Sequence, residues 1–480
     1  MDRRVVRLFG FVCVLFAVLA GFTAWWAVLD ADRLKGEQAN KRPLFEAQRI
    51  KRGTIRAADG TVIAESNPVG RGEARRFIRE YPLGELFGHP IGYSFAEQGN
   101  AEFERYHDLE LTGKNNEVND FLDKLSGRAP AGNPMGTALD VGAQQTATDL
   151  LAGRPGSVVA IEPATGKVRV AASVPAYDPN SVPDFLKDLN TDPAAPLLDR
   201  STQGQYPPGS TFKVVTAAAA LDSGTIDTST LIDSPATIDV QGNPLSNFGG
   251  ASFGSIDVET ALTNSANTFF ARLGEQTGAG TLFEYMDRFG FGSKPPIDLP
   301  SDELSVSGVF SDGDLVRPED GVDVGRIAIG QERLLVTPLQ MAQVVSAVAN
   351  QGVLMKPRIW TSVRDRDGRV VSRMSPETQS EVMSPGTAAE LTQAMTSVVD
   401  EGTGTAAALA GIDVAGKTGT AEVPGRAECA GLPNQAWFIG FAPADRPEVA
   451  VAATIECTTG TGGDTAAPIA AGVIQELLGE

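Results

Sequence analysis

Histidine occurs twice and cysteine three times in 480 residues, and these scarcities remove whole classes of chemistry. His89 and His107 are isolated, with no cluster of ligand-type residues around either. That argues against a metal centre and against a histidine-based triad, and no cofactor is expected. Cys13 falls inside an apolar run, which leaves Cys429 and Cys457 as the only possible intrachain pair in an oxidising compartment. Basic residues are also short, 40 Lys and Arg against 60 Asp and Glu, for a formal charge of −20. A phosphate backbone needs clustered cations, so nucleic acid is excluded as a partner. Internal repeats and interpretable low-complexity tracts are lacking as well.

Long apolar runs are limited to one, Leu8 to Leu29, which carries no charge and follows Arg3, Arg4 and Arg7. At about 1.5 Å per residue it spans a bilayer's hydrocarbon core, with Trp25 and Trp26 at the level of an interfacial belt. A cleaved signal peptide would have a shorter apolar region and a small-x-small site, and none is evident before Asp30. The expectation is a single-pass protein with a cytoplasmic tail at 1–7, an anchor at 8–29 and its bulk outside the cytoplasm. Arg33, Lys35, Lys41 and Arg42 on the far side weaken that charge bias.

The remaining length exceeds one ordinary core, and the apolar fraction of 42% suits globular domains. Residues 30–49 read as a juxtamembrane helix or linker. Ile50 to Glu65 predicts two strands about a turn at Asp59-Gly60, and Glu80 to Arg128 a small α+β module. From Thr137 a strand and helix are followed by a hairpin, Ser157 to Ile161 with Lys167 to Ser173, and a Pro-rich run from Val174 to Pro196 reads as an irregular surface crossing. Helices are predicted over Asp257 to Thr263, from Thr268, from Thr337-Pro338 to Asn350, and over Thr387 to Val399. Strands at Val414 to Ala421, Ala436 to Ala442 and Val449 to Glu456 precede a closing helix, Thr465 to Leu478. A hairpin before the helices and three strands after them imply one antiparallel sheet flanked by helices.

Chemistry concentrates at Tyr206-Pro-Pro-Gly-Ser-Thr-Phe-Lys213, where prolines and a glycine stiffen the entry to an Ala-rich helix over Val214 to Leu221. Ser210 and Lys213 are three apart and share a face. An amine whose pKa is lowered by desolvation and a second cation can take the serine's proton, which points to acyl transfer. Ser265-Ala-Asn267 between two helices adds a hydroxyl and an amide, and Lys417-Thr-Gly-Thr420 on a strand adds an amine and two hydroxyls. Each fragment is common, whereas the ordered trio in a helix, an interhelical loop and a strand is not.

With that trio the chain resembles the penicillin-recognising serine acyltransferases, and its flanks look like those of a class B penicillin-binding protein of actinobacterial type. Arg52-Gly-Thr-Ile55 with Asp59-Gly60, and Gly99 through Glu104 to Leu111 and Gly113, resemble that family's N-terminal signature and pedestal region. Leu139-Asp140 with Gln144, Ala176-Tyr-Asp-Pro-Asn180, Thr337 to Ala342 and Ala436 to Phe441 match its pattern too. Asp199 stands where the family commonly has Asn, and Ala57-Ala58 dilute the N-terminal signature. The resemblance implies an α+β fold, a five-stranded antiparallel transpeptidase domain at 136–480 behind a smaller α+β pedestal or interaction domain at 30–135.

It further implies a D,D-transpeptidase of peptidoglycan synthesis. Ser210 would attack the carbonyl between the terminal D-alanines of a stem peptide, with Lys213 as base. Ser265 would relay a proton to the leaving D-alanine, and Asn267 would hold the stem-peptide amide. Lys417 would add positive potential, Thr418 and Thr420 would bind the terminal carboxylate within Lys417-Thr418-Gly419-Thr420, and Ser210 and Thr420 N–H groups would form the oxyanion hole. An amine on a neighbouring stem resolves the acyl-enzyme, β-lactams trap it, and a membrane-embedded SEDS-family glycan polymerase is the expected partner. A strict D,D-carboxypeptidase or a non-catalytic β-lactam sensor or scaffold are the alternatives. If the last three strands form a meander, Cys429 and Cys457 emerge at one edge and a disulfide is feasible, the alternative being two buried thiols.

Overall fold

Alternation of side chains builds the centre of the molecule. In the strand Gly156–Glu162, Val158 and Ala160 enter one core while Val159 and Ile161 enter another. Both faces of the sheet are therefore covered, and the strand reads as a continuous apolar run. Its hairpin partner, Lys167–Val174, carries a bulge at Arg169, after which Val170 and Ala172 fall on the opposite face from Val168. This computed structural model describes residues 3–25, 48–71, 75–114, 131–422, 429 and 431–479.

The five-stranded sheet is antiparallel throughout, in the order Ala415–Glu422, Asn434–Ala442, Val449–Thr458, Gly156–Glu162, Lys167–Val174. One face packs on the helix Pro338–Ala349, every residue of which is buried. Thr337 caps that helix by accepting from the Gln340 N–H at 3.2 Å, with Pro at the first position. The other face is covered by Val141–Leu151 and Ala467–Leu478 through Ala147, Leu151, Ile469 and Val473. Ala415–Glu422 is the edge strand, so alternate backbone groups face away from the sheet, toward the nucleophile motif.

The hairpin, the three late strands and the helices stand where the sequence places them, with two corrections. The Pro-rich run contains a helix, Val182–Thr191, entered through a turn in which Asp178 accepts from the Asn180 N–H. Pro183 lies in its first turn, where the missing N–H costs nothing. The nucleophile segment is a 3₁₀ turn, Gly209–Phe212, that runs into the α-helix Lys213–Asp222. The N-terminal apolar helix extends over Arg3–Ala24 and is the one span-length candidate among the described residues; the expected positions 26–29 lie outside them. Cys429 and Cys457 are joined, with Cα atoms 4.8 Å apart.

A second, six-stranded sheet forms the N-terminal part, and it draws on distant sequence: Trp360–Arg364 pairs with Met135–Thr137, which lies beside Ile55–Arg56. Asp298 ties this junction by accepting from the Ile359 and Trp360 N–H groups at 2.7 and 2.8 Å. His107 meets the same carboxylate at 3.4 Å and His89 faces the Pro175 carbonyl, so both histidines are structural. The centre of this part is Glu104, fully buried, which accepts from Arg52 Nε and Nη2 at 3.0 and 2.8 Å and from Arg79 Nε at 2.5 Å. Burial pushes its carboxyl up, but the Arg79 and Arg52 guanidiniums outweigh that and hold it below the usual carboxylate range. Glu104→Gln leaves the buried Arg79 without its counter-charge, Arg52 keeping Asp108, and should cost about 3–5 kcal/mol. Urea unfolding followed by tryptophan fluorescence checks this; a loss under about 1 kcal/mol would contradict the account.

Candidate active site

The chain enters the nucleophile turn under restraint from three sides. Tyr206 exchanges backbone hydrogen bonds with Val336 at 2.9 and 2.8 Å, and the Gly209 N–H donates to Gly330 O at 2.9 Å. The Trp437 indole donates to Pro207 O at 3.0 Å. Gly209 has φ +53°, and a Cβ there would stand 3.0 Å from Thr420 O, so only glycine brings the turn this close to the edge strand. Behind it, Arg200 Nε and the Tyr206 hydroxyl both donate to Glu456 Oε1, at 2.8 and 2.6 Å. Asp199, the departure from the family pattern, is buried and accepts from the Ser201 N–H and from the Ser201 and Thr202 hydroxyls.

In a 3₁₀ turn residues i and i+3 eclipse, so Ser210 and Lys213 lie on one side of the segment. Ser210 is half-buried, and among the described residues its hydroxyl has no hydrogen-bond partner. Lys213 is fully buried and bonds elsewhere: Nζ donates to Ser265 O and Asn267 Oδ1, both at 2.7 Å, with Ser265 Oγ at 3.3 Å. The Phe270 ring lies 5.5 Å from the same nitrogen. Ser265 holds φ +55°, an unusual conformation for serine that turns its carbonyl and hydroxyl toward the amines. Asn267 opens the helix Asn267–Arg288, and its amide nitrogen donates to Ser246 O at 3.0 Å.

Lys417, also fully buried on the edge strand, donates to Ser265 Oγ and Thr418 O, each at 3.0 Å. The structure thus joins the three sequence motifs through Ser265, between two amines. Burial lowers Lys213 well below the ordinary lysine value, and the charge of Lys417 lowers it further. Burial brings Lys417 to about 7. While Lys417 is charged it disfavours a second charge on Lys213, which favours the neutral amine there. A neutral amine has two N–H donors and one lone pair; the donors go to Ser265 O and Asn267 Oδ1, which leaves the lone pair to accept a hydroxyl proton.

The hydroxyls beyond Lys417 are engaged as well. Thr418 meets Thr403 Oγ1 at 2.6 Å, and Thr420 Oγ1 accepts from the Gly462 N–H at 3.1 Å. The sequence reading missed Thr403, Gly462 and Phe270. A signal for the first two existed: Gly402 to Thr405 and Thr458 to Gly463 repeat the Thr/Gly composition of Thr418 to Thr420.

Comparison with known proteins agrees with this architecture. A model of the penicillin binding protein transpeptidase domain matches residues 156–475, and one of the penicillin binding protein A dimerisation domain matches 52–135. The chain is 34% identical, over all of its length and all of the relative's, to peptidoglycan D,D-transpeptidase PbpA of Mycolicibacterium smegmatis. It is 33% identical to PbpA of Mycobacterium tuberculosis, over 100% of this chain and 99% of the relative. The solved ceftriaxone acyl-enzyme of M. tuberculosis penicillin-binding protein A superposes with a TM-score of 0.81 at 33% identity, covering 90% of this chain and 99% of that one.

A lysine with a folded pKa below its unfolded value binds fewer protons in the native state, so stability rises with pH between the two values. For Lys417 the window runs from about 7 to the ordinary 10.5. The stability of the parent relative to Lys417→Met should rise by about 1.4 kcal/mol per pH unit in that window and level off above it. Urea titrations from pH 6.5 to 10.5 measure the difference, and a difference independent of pH would refute the buried neutral amine.

Proposed function

The chain belongs to the penicillin-binding protein transpeptidase family, and we propose that Ser210 is its acylated nucleophile and Lys213 the base that activates it. The enzyme is a peptidoglycan D,D-transpeptidase, acting through a serine acyl-enzyme and inhibited by β-lactams. The observation that carries the residue assignment is the meeting of two buried amines on Ser265, one of them three residues along the chain from Ser210, whose hydroxyl is unpartnered among the described residues.

In the first half-reaction the Lys213 lone pair takes the Ser210 proton as Oγ bonds to the carbonyl carbon of the penultimate D-alanine. The negative oxygen that develops is met by the Ser210 and Thr420 N–H groups, the second on the free side of the edge strand, each contributing a few kcal/mol. As the C–N bond breaks, the proton passes from Lys213 through Ser265 Oγ to the leaving amine, a route the 3.3 Å and 3.0 Å contacts of that hydroxyl support. Asn267 keeps its second amide N–H for the donor stem, the first being on Ser246 O, and Lys417 with the Thr418 and Thr420 hydroxyls holds the terminal carboxylate, Gly419 keeping the strand between them free of a side chain. In the second half-reaction an amine of a neighbouring stem gives its proton to Lys213 as its nitrogen bonds to the acyl carbon, and Lys213 returns that proton to Ser210 Oγ as the C–Oγ bond breaks.

One apolar N-terminal helix fits a single-pass membrane protein. The proposed orientation has the tail at 1–7 in the cytoplasm, supported by Arg3, Arg4 and Arg7, and the anchor at 8–29. The pedestal at 30–135 and the transpeptidase domain at 136–480 then lie outside, where the Cys429–Cys457 disulfide is chemically at home. A SEDS-family glycan polymerase is the proposed membrane partner, through the anchor and pedestal.

Two experiments test this reading. Fluorescent penicillin should label the parent stoichiometrically and leave Ser210→Ala protein dark; undiminished label on the variant would refute the nucleophile assignment. Full-length chain purified in mild detergent should bring down a SEDS-type polymerase and form amine-dependent cross-links on nascent glycan. Release of D-alanine unaffected by acceptor amine would instead identify a carboxypeptidase.

A further inference from the structure

Three Thr/Gly-rich stretches far apart in sequence, Gly402 to Thr405, Thr418 to Thr420 and Thr458 to Gly463, come together on one rim of the cleft. Thr403 is the junction. Its N–H donates to Thr263 O at 3.3 Å, two residues before Ser265, and the next residue, Gly404, closes the preceding helix by donating to Val398 O at 2.9 Å. Its carbonyl faces Gly463, where a Cβ would come within 2.5 Å. The backbone of Thr403 is therefore fixed by the loop that carries Ser265, by the helix Pro385–Asp400 and by the turn after Val449–Thr458. Its side chain is exposed at the rim, and its hydroxyl stands 2.6 Å from that of the buried Thr418.

We propose that Thr403 is a positioning residue of the carboxylate subsite, donating to Thr418 Oγ1 so that the Thr418 proton is directed at the acyl donor's carboxylate. The argument rests on the reading above that Thr418 and Thr420 receive that carboxylate. A hydroxyl has one proton and two lone pairs. If Thr418 donates to Thr403, it presents only lone pairs to an anion and repels it. If Thr403 donates to Thr418, the Thr418 proton is free for the anion. Thr420 meets the same requirement by accepting from the Gly462 N–H, which leaves its own proton outward. Both hydroxyls of the subsite are thus supplied from behind with a donor, one from backbone and one from Thr403, while Lys417 supplies charge beside them.

The test compares benzylpenicillin with its methyl ester, which lacks the negative carboxylate, on the full chain in detergent. Binding constant and acylation rate are obtained separately from competition with fluorescent penicillin. Thr403→Val should weaken binding of the acid about five- to tenfold, the scale of one charge-assisted hydrogen bond, with its saturating acylation rate and both ester parameters within about twofold of the parent. Thr403→Ser should restore acid binding, and thermal unfolding should show the valine variant as stable as the parent. Equal losses for acid and ester, a loss confined to the acylation rate, an unchanged valine variant, or failure of the serine variant to rescue would each overturn the proposal. Thr418→Val separates the two readings. If it removes acid preference while Thr403→Val does not, only the Thr403 inference fails; if neither does, the carboxylate assignment fails with it.

Discussion

Two buried lysine amines facing one serine hydroxyl are the constraint to which the rest of the molecule answers. Neither Lys213 nor Lys417 has a carboxylate partner among the described contacts, and both are removed from water. Two charges so close in such a medium disfavour each other, and both burial and the charge of Lys417 push Lys213 toward its neutral form. A structural ion pair would have been the stable solution. The amine pair costs stability in the neutral range, and under the proposed mechanism that cost is what keeps a base with a free lone pair for Ser210.

Holding such a pair requires rigid elements on every side, and the architecture supplies them. Lys213 is carried by a helix whose Val214 to Ala220 are all buried, Lys417 by a strand paired along its length with Asn434–Ala442, and Ser265 by a loop between two helices. The edge position of the Lys417 strand has a second use. An inner strand would have both rows of backbone groups occupied, whereas this one keeps a row available to the nucleophile turn and to an incoming peptide. Glycine at 209 permits the turn to approach that row, where a Cβ would stand 3.0 Å from Thr420 O.

Much of this was legible in the sequence because it depends on local pattern. The Ser210–Lys213 spacing, the Thr337-Pro338 cap and the period-two alternation of the hairpin each follow from interactions within a few residues. What escaped depends on distant partners. The pairing of Trp360–Arg364 with Met135–Thr137 joins segments more than two hundred residues apart and has no local signature. The helix Val182–Thr191 was hidden because prolines suggested irregularity, although one of them occupies a first turn, where proline is favoured. Thr403 carried only a compositional signal, the Thr/Gly pattern it shares with Thr418 to Thr420, and after a helix such a stretch reads as a terminator until its hydroxyl is seen against Thr418.

Among the described residues the Ser210 hydroxyl is unpartnered, and the proposed mechanism gives that a use. A serine already bonded to Lys213 would need that bond rearranged each time the amine turned to Ser265 to release its proton. Lys213 is anchored to Ser265 O and Asn267 Oδ1, and in the proposed mechanism this fixes the direction of its lone pair, so that the proton's acceptor does not move between steps. The mobile partners are the hydroxyls of Ser210 and Ser265, which reorient by rotation about a single bond. Placing motion in two hydroxyl rotors and fixing both amines keeps the expensive desolvated groups still, and it explains why the loop tolerates a strained φ at Ser265 rather than presenting that hydroxyl from a regular helix.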